Sequence, residues 1–236
     1  MASLKNWDNK TWLSSKQYIQ SFNNFILKQK KLNKYSKVLD IGCGRGKIIG
    51  NLSERFNFIK KPIGLDIENH KDRSKKIIFK KLDALSYVSK TKDNFDLILI
   101  KQTIHLLKKN QIKRLLSICR NKLNPKGKII ILSLDPKENE IPGFSLMNDK
   151  LKKSLKRDKE IFSLITKIYS DIIIRFFSFN LKILKINYLK MIKNRFISTL
   201  LTINEKQLAI GINEIKHKYE KKFKFKDKLI CFIIKK

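Results

Sequence analysis

The stretch Val38-Leu-Asp-Ile-Gly-Cys-Gly-Arg-Gly-Lys47 decides the fold class of this 236-residue chain. Its first four residues form a short apolar run typical of a buried strand, and residues 47–56 continue with apolar side chains at helical spacing. Glycines at positions 42, 44 and 46 separate the two patterns. Glycine tolerates positive φ and lets a backbone approach a ligand, and a helix start offers free N–H groups to an anionic group. The stretch therefore predicts a strand, a ligand-binding turn and a helix.

This glycine turn differs from the turn of dinucleotide-binding proteins. Their Gly-x-Gly-x-x-Gly pattern needs a third small residue, which would fall on position 47. That position holds Lys47, whose long side chain does not suit close packing of the helix on the strand. The sequence therefore argues against NAD as the ligand of this turn.

Strand and helix patterns alternate along the rest of the chain. Apolar residues at spacings of three and four predict helices at 9–30, 110–123, 146–169 and 204–219. Short apolar runs predict strands at 37–42, 62–66, 76–79, 95–100, 128–134, 177–186 and 229–234, with a turn at 124–127. Such alternation indicates βαβ units. We expect an α/β, Rossmann-like fold with a seven-stranded, mostly parallel sheet, helices on both faces and an additional helical cover segment.

The composition favours a single domain. The chain contains only 8 Gly and 4 Pro, so no flexible linker divides it. We expect one domain over 1–236, made of an N-terminal helical segment (1–36), a core (37–135), a cover (136–204) and a terminal helix and strand (205–236).

The net charge of +34 suggests a polyanionic partner but does not specify one. Basic surfaces attract nucleic acids and anionic membranes. Here, however, the 54 basic residues are spread over the whole chain and include only eight arginines. Readers of phosphates and bases favour arginine for its bidentate geometry. An AT-rich genome also explains a chain rich in Lys, Ile and Asn, so we expect no specific nucleic-acid partner.

The cysteines and apolar segments limit the remaining classes of protein. Cys43, Cys119 and Cys231 are far apart and form no CxxC pair, which argues against a metal site or a disulfide framework. The N-terminus lacks the apolar core of a signal peptide, and no segment is long enough to span a membrane. We expect a cytoplasmic protein, with peripheral membrane contact through Lys-rich helices and the apolar run 172–179 left open.

Four further motifs follow the glycine turn. They are GLDIEN (64–69), KKLDALSY (80–87), FDLILIKQTIHLL (95–107) and LNPKGKIIILS (123–133). Together with VLDIGCGRG (38–46) they resemble, in order and spacing, the motifs of class I S-adenosylmethionine-dependent methyltransferases. Each motif alone is weak evidence, whereas the ordered series is specific. The resemblance covers Lys37 to Ser133.

The resemblance implies bound S-adenosylmethionine and the positions that contact it. Asp40, Gly42, Cys43, Gly44 and the backbone of Lys101 would contact the methionine moiety. Asp66 would bind the ribose. Ile67, Asp83 and Ala84 would contact the adenine.

Several of these residues also have structural interpretations. Asp40 and Asp83 are residue types that order turns and helix starts. We interpret Cys43 as a small packing residue, because nothing near it in sequence would lower the pKa of its thiol. We expect Arg45, where the family often has a small residue, to point outward.

The sequence contains fewer features that indicate where the methyl acceptor binds. His105 follows the fourth strand, where an imidazole could accept a proton from the methyl acceptor; the alternative is a partly buried histidine that orders the loop. His70 and His217 lie in charged surroundings and are expected at the surface. The segment 142–201 supplies eight aromatic residues, from which we expect a cover over the acceptor pocket, although most of them must be core residues.

Three functions are compatible with these observations. We favour methyl transfer to a small-molecule acceptor. The alternatives are an RNA or other macromolecule methyltransferase and a noncatalytic module on the same fold. The (Asp/Asn)-Pro-Pro-aromatic motif of base-amino methylation is absent from the sequence, since its position reads Ile100-Lys-Gln-Thr103.

Overall fold

The computed structural model describes residues 10–236, and these form one seven-stranded sheet with strand order β3-β2-β1-β4-β5-β7-β6. The strands are β1 Val38–Ile41, β2 Ile63–Asp66, β3 Ile78–Lys81, β4 Phe95–Lys101, β5 Leu123–Leu134, β6 Ile173–Leu184 and β7 Lys222–Lys235. The first five pair in parallel, and β7 lies antiparallel between β5 and β6. The predicted fold class, a mostly parallel Rossmann-like sheet, is confirmed.

Helices cover both faces of this sheet. They are α1 Lys16–Gln29, α2 Lys47–Phe56, α3 Ala84–Lys90, α4 Lys109–Asn121, α5 Ser145–Ile168, α6 Lys185–Lys193 and α7 Glu205–Lys218. Side-chain caps start three of them: Ser15 for α1, Asp83 for α3 and Asn204 for α7. These caps satisfy N–H groups that the first turn of a helix leaves without a partner. Within the described residues, no helix has both the length and the apolar composition of a membrane span.

The central strand β4 shows why its sequence is apolar throughout. Leu97 and Leu99 pack into the hydrophobic core on one face of the sheet, whereas Ile98 and Ile100 pack into the core on the other face. Successive side chains of a strand point to opposite faces, so a strand covered by helices on both sides needs apolar residues at every position. Burying each of these side chains contributes roughly 1.5–3 kcal/mol.

Several predicted boundaries in the first half of the chain differ from the structure. The helix predicted over 9–30 begins only at Lys16, after a short 3₁₀ helix at Trp12–Ser14, and its residue 9 lies outside the described residues. Strand β3 lies two residues later than predicted. The predicted turn at 124–127 lies inside β5, where Lys126 has φ +62° and the pairing with β4 shifts register between Phe95 and Leu97.

The last two strands are longer than predicted, and α6 was not predicted. β6 and β7 pair along twelve positions, from Ile173–Ile233 to Leu184–Lys222. Many positions of both strands are solvent-exposed, including the apolar Ile174 and Phe176 of β6, so an apolar run does not give the length of either strand. Helix α6 buries Tyr188 and Ile192, which lie one helical turn apart.

Candidate functional site

A cavity of about 240 Å³ lies at the carboxyl ends of the five parallel strands. Open α/β sheets bind their ligands at this edge. Seven of the ten predicted site residues line the cavity: Gly42, Asp66, Ile67, Asp83, Ala84, Lys101 and His105. The other three, Asp40, Cys43 and Gly44, belong to β1 and its turn but are not part of the lining. We call the side formed by the strand ends the strand-end wall.

The glycine turn has a left-handed backbone conformation, which glycine adopts more readily than other residues. Gly42, Gly44 and Gly46 have φ values of +73°, +54° and +66°. A Cβ on Gly42 would lie 2.1 Å from Thr103 Oγ1, so this position also needs the space that glycine leaves. A Cβ on Gly44 would meet no atom within 4 Å, which leaves open space beside the turn. Positive φ is costly for residues with a Cβ.

Asp66 links the end of β2 to this turn. Its Oδ2 accepts a hydrogen bond from Gly44 N–H at 2.8 Å, and its Oδ1 accepts one from Glu68 N–H at 2.9 Å. His70 Nε2 lies 3.4 Å from Oδ1. Burial alone would raise the pKa of Asp66, but the hydrogen bonds from His70, Glu68 and Gly44 outweigh burial and lower the pKa. The carboxylate is therefore held ionised and in a fixed orientation.

Two predictions of exposure were wrong in this region. His70 and Arg45 are 4% and 6% exposed, whereas both were expected at the surface. The segment between β2 and β3 folds back over the glycine turn: Ser74 N–H donates to Arg45 O at 2.9 Å, and Ile77 packs against Gly46. This long-range packing buries residues whose local sequence is strongly charged. His217, also predicted to be exposed, is exposed.

Asp40 and Lys101 face each other across β1 and β4. Asp40 is 3% exposed, and burial raises the pKa of its carboxyl to about 7, with Lys101 lowering it and Asp66 raising it further. Lys101 Nζ donates to Gln102 Oε1 at 3.0 Å and lies 5.4 Å from the ring centres of both Tyr18 and Phe22. Lys101 is thus anchored beside the cavity.

The residues expected to contact the adenine follow β2 and β3. Asp83 Oδ1 accepts a hydrogen bond from Ser86 N–H at 2.9 Å and caps α3, so its structural interpretation is correct, and it also lines the cavity. Beside it, Ile67 and Leu82 are 64% and 46% exposed. These exposed apolar side chains form a surface on which a flat ring can pack.

Cys43 has the character of a packing residue. A Cβ on Gly64 would lie 2.7 Å from its Sγ, which shows how closely the side chain packs against β2. Burial raises the pKa of the Cys43 thiol, and the carboxylates of Asp40 and Asp66 raise it further. The thiol therefore stays protonated at neutral pH.

His105 lies in the 3₁₀ helix Ile104–Leu106, which follows β4. Its half-buried side chain lines the cavity. Burial lowers the pKa of the imidazole to about 4, and the nearby Arg157 guanidinium lowers it further. His105 is therefore neutral at pH 7.

The cover segment contributes to the cavity, but not through its aromatic residues. Six of its eight aromatic side chains are at most 6% exposed and belong to the two hydrophobic cores: Phe144, Phe162, Tyr169, Phe177, Tyr188 and Phe196. The expected aromatic cover was therefore wrong. The segment lines the cavity instead with six residues of α5 and of the region around the 3₁₀ helix Ser198–Leu200: Leu151, Ser154, Asp158, Ile197, Ser198 and Thr199. We call this the helical wall.

Sequence reasoning missed Asp158 and Thr199. Asp158 is 4% exposed, and burial raises the pKa of its carboxyl to about 6, partly offset by Arg157. Among the described residues, neither Asp158 Oδ1 nor Thr199 Oγ1 has a hydrogen-bond partner. In sequence, Asp158 stands in the lysine-rich run 152–159, which is typical of a solvated helix face.

The comparisons with known proteins match this geometry. Residues 32–226 match the protein family described as methyltransferase domain. The chain belongs to this methyltransferase family. No curated protein sequence matches significantly.

Solved methyltransferase structures share the fold at low sequence identity. A protein of Anabaena variabilis assigned as an antibiotic-biosynthesis methyltransferase has a TM-score of 0.61 and 14% identity, over 89% of this chain and 95% of that one. The plantazolicin methyltransferase BamL, in complex with a desmethylplantazolicin analogue and S-adenosylhomocysteine, has a TM-score of 0.55 and 19% identity over 98% and 88%. An S-adenosylmethionine-dependent methyltransferase of Archaeoglobus fulgidus has a TM-score of 0.53 and 22% identity, over 93% of each chain.

Proposed function

We propose that this methyltransferase transfers the methyl group of S-adenosylmethionine to a small-molecule acceptor. The observation that carries the proposal is the convergence of the glycine turn, Asp66 and Lys101 on one cavity at the carboxyl edge of the sheet. The complex of BamL with S-adenosylhomocysteine supports the choice of cofactor. Bound there, S-adenosylmethionine would supply an electrophilic methyl group on a sulfonium.

The residues of the strand-end wall fit the cofactor. The open space beside Gly44 admits the methionine moiety without displacing a side chain. Asp66 Oδ1 already interacts with Glu68 N–H and His70, whereas Oδ2 accepts only the hydrogen bond from Gly44 N–H and so keeps a further lone pair for a ribose hydroxyl. Ile67, Asp83 and Ala84 border the region assigned to the adenine. Asp40, Cys43 and the Lys101 backbone complete the proposed contacts around the methionine part.

His105 is our candidate for a proton-accepting residue. It is neutral at pH 7 and lines the cavity, so it can take a proton from an acceptor with an O–H, N–H or S–H group. The low pKa makes it a weak base. Correct placement of the acceptor and exclusion of water therefore contribute much of the rate.

An RNA acceptor is less well supported. Four carboxylates line the cavity, Asp66, Glu68, Asp83 and Asp158, against the single lysine Lys101 among the described lining residues. Negative charge at the cavity repels a phosphate backbone, whatever the net charge of the chain. A small acceptor without phosphates meets no such barrier.

Isothermal titration calorimetry tests the proposal. We expect S-adenosylmethionine and S-adenosylhomocysteine to bind and NAD not to bind. Release of S-adenosylhomocysteine in the presence of a metabolite panel would then measure turnover. Tight NAD binding without S-adenosylmethionine binding would overturn the assignment.

A further inference from the structure

The charge of the cavity is opposite to the charge of the protein. The chain has 54 basic and 20 acidic residues, yet four acidic residues and one lysine are found among the described residues that line the cavity. Asp66, Glu68 and Asp83 belong to the strand-end wall, where the cofactor is proposed to bind. Asp158 does not, because it lies on the helical wall. A cleft lined by one sign of charge concentrates ligands of the other sign.

Asp158 faces the cavity because of its position on α5. Leu151, Ser154 and Asp158 are three and four residues apart, so they form one stripe along the helix, and all three line the cavity. The surrounding helix surface is lysine-rich and exposed. Arg157, the neighbouring residue in sequence, donates to Leu107 O at 3.2 Å, and its positive charge lowers the pKa of Asp158.

Two buried polar atoms of this wall lack a hydrogen-bond partner within residues 10–236. Asp158 Oδ1 and Thr199 Oγ1 are both buried, and neither makes a hydrogen bond to another described residue. Leu151 and Ile197 line the cavity on the same wall and supply apolar contact. A buried carboxylate without a donor is costly, and such groups call for a specific explanation. One carboxylate oxygen and one hydroxyl oxygen without a partner on the same wall of one cavity point to a ligand that donates hydrogen bonds.

We propose that the methyl acceptor carries a basic nitrogen, which the helical wall binds through Asp158 and Thr199. This inference rests on the proposed function and names the substrate class for the same cavity. An ammonium group supplies the N–H donors that Asp158 Oδ1 lacks and adds its positive charge to that of the nearby Arg157. A carboxylate or phosphate at the same place would be repelled, and an alcohol would form only a neutral donor's hydrogen bond. Asp158 is thus a specificity-determining residue of the acceptor site.

Matched acceptor probes test this directly. Protein saturated with S-adenosylhomocysteine is titrated with benzylamine, benzyl alcohol and benzoate, and with aliphatic amine, alcohol and carboxylate sets of equal length. We expect each amine to bind at least 10-fold more tightly than its matched alcohol, and the carboxylates to bind most weakly. Amines that bind no better than the matched alcohols or carboxylates would overturn the proposal.

Asp158→Asn tests the residue, with Asp149→Asn as the matched control. Asp149 lies on the same helix but is exposed and outside the cavity lining. We expect Asp158→Asn to remove the preference for amines, with roughly 10- to 100-fold weaker amine binding, and to raise the melting temperature by about 2–4 °C because a buried charge is removed. Asp149→Asn should change neither quantity. Thr199→Val should weaken amine binding less, by about 3- to 10-fold.

A lower melting temperature of Asp158→Asn together with an unchanged amine preference would assign Asp158 a purely structural role and overturn the proposal. The affinity for S-adenosylhomocysteine separates this result from failure of the proposed function. It should stay within about twofold of wild type in Asp158→Asn, because Asp158 lies on the other wall. If the wild type itself does not bind S-adenosylhomocysteine, the proposed function fails rather than the assignment of Asp158.

Discussion

The two walls of the cavity differ in how their carboxylates are satisfied. On the strand-end wall, Asp66 accepts backbone hydrogen bonds from Gly44 and Glu68. On the helical wall, Asp158 Oδ1 and Thr199 Oγ1 have no partner among the described residues. The first wall is therefore organised by the chain itself, whereas the second keeps hydrogen-bonding capacity for the ligand that we propose. Substitutions on the two walls should accordingly change different properties of the protein.

The largest effect is expected from His105, which lines the cavity but belongs to neither of the two walls as defined above. His105→Ala should lower turnover by roughly 10²–10⁴-fold if the imidazole accepts the proton of the acceptor. Turnover of the wild type should fall as the pH drops through about 4, where His105 becomes protonated, and the variant should lose this limb of the pH–rate profile. Cofactor affinity should barely change, because a base contacts the acceptor.

The exposed His217 provides the matched control, since His217→Ala should leave turnover unchanged. Near-normal turnover of His105→Ala would contradict the catalytic role. A joint loss of cofactor binding and thermal stability would instead indicate that His105 is structural.

The glycine turn tests whether the strand-end wall is organised by its backbone. Gly42→Ala forces a Cβ into Thr103 and strains a φ of +73°. We expect it to lower the free energy of unfolding by about 2–4 kcal/mol, from strain and overpacking together. Gly44→Ala has the positive φ but no clash, so we expect a loss of only about 1–2 kcal/mol. Urea unfolding measures both.

Gly44→Ala should nevertheless weaken cofactor binding, because its Cβ occupies the space that the methionine moiety needs. Equal destabilisation by the two alanine substitutions would contradict the contact between Gly42 and Thr103. Unchanged cofactor affinity in Gly44→Ala would move the proposed methionine site away from this turn.

The unsatisfied carboxylate of the helical wall should make stability depend on pH. The pKa of Asp158 is about 6 in the folded protein and about 3.9 in an unfolded chain. Folding therefore favours the protonated carboxyl. The stabilisation that this protonation gives the folded protein is complete below pH 4 and is lost as the pH rises through about 6. Asp158→Asn should match wild type near pH 4 and exceed it at pH 7 by about 1–3 kcal/mol.

Urea midpoints at several pH values measure this difference. The raised pKa of Asp40, about 7, affects both proteins alike and cancels in the comparison. A constant difference between the two proteins from pH 4 to pH 7 would show that Asp158 is not desolvated. It would also contradict the contrast between the walls.

The smallest effect is expected from RNA. The diffuse positive charge should give weak binding that is indifferent to sequence and is lost steeply with added salt. Fluorescence anisotropy with unrelated RNAs at 50 and 200 mM salt measures this. Retention of a structured RNA at physiological salt, with methylation in preference to small acceptors, would reverse the ranking of the two substrate classes.

The strand-end wall could be predicted from sequence because local patterns determine it. The glycines at 42, 44 and 46 need positive φ, and an acid at the end of a short strand must lie at the carboxyl edge of the sheet. The same argument failed for His70 and Arg45. The segment that buries them folds back over the turn through contacts that no local pattern specifies.

The helical wall could not be predicted, because its residues resemble ordinary surface residues in sequence. Asp158 follows several lysines, and only the packing of α5 against the 3₁₀ helix near Thr199 turns it inward. The aromatic residues of segment 142–201 led to the opposite error, because core residues were interpreted as residues of the cavity. Phe177 and Tyr188 look like a pocket cover, but β6 and α6 place them in the core that supports the sheet.

The contrast between the walls is tested most directly by calorimetric titration of S-adenosylhomocysteine into wild type, Asp66→Ala and Asp158→Asn. We predict that Asp66→Ala weakens binding by about 1.5–3 kcal/mol, the range for charge-assisted hydrogen bonds, and that Asp158→Asn leaves it unchanged. Equal weakening in both variants, or in neither, would contradict the assignment of one wall to the cofactor and the other to the acceptor.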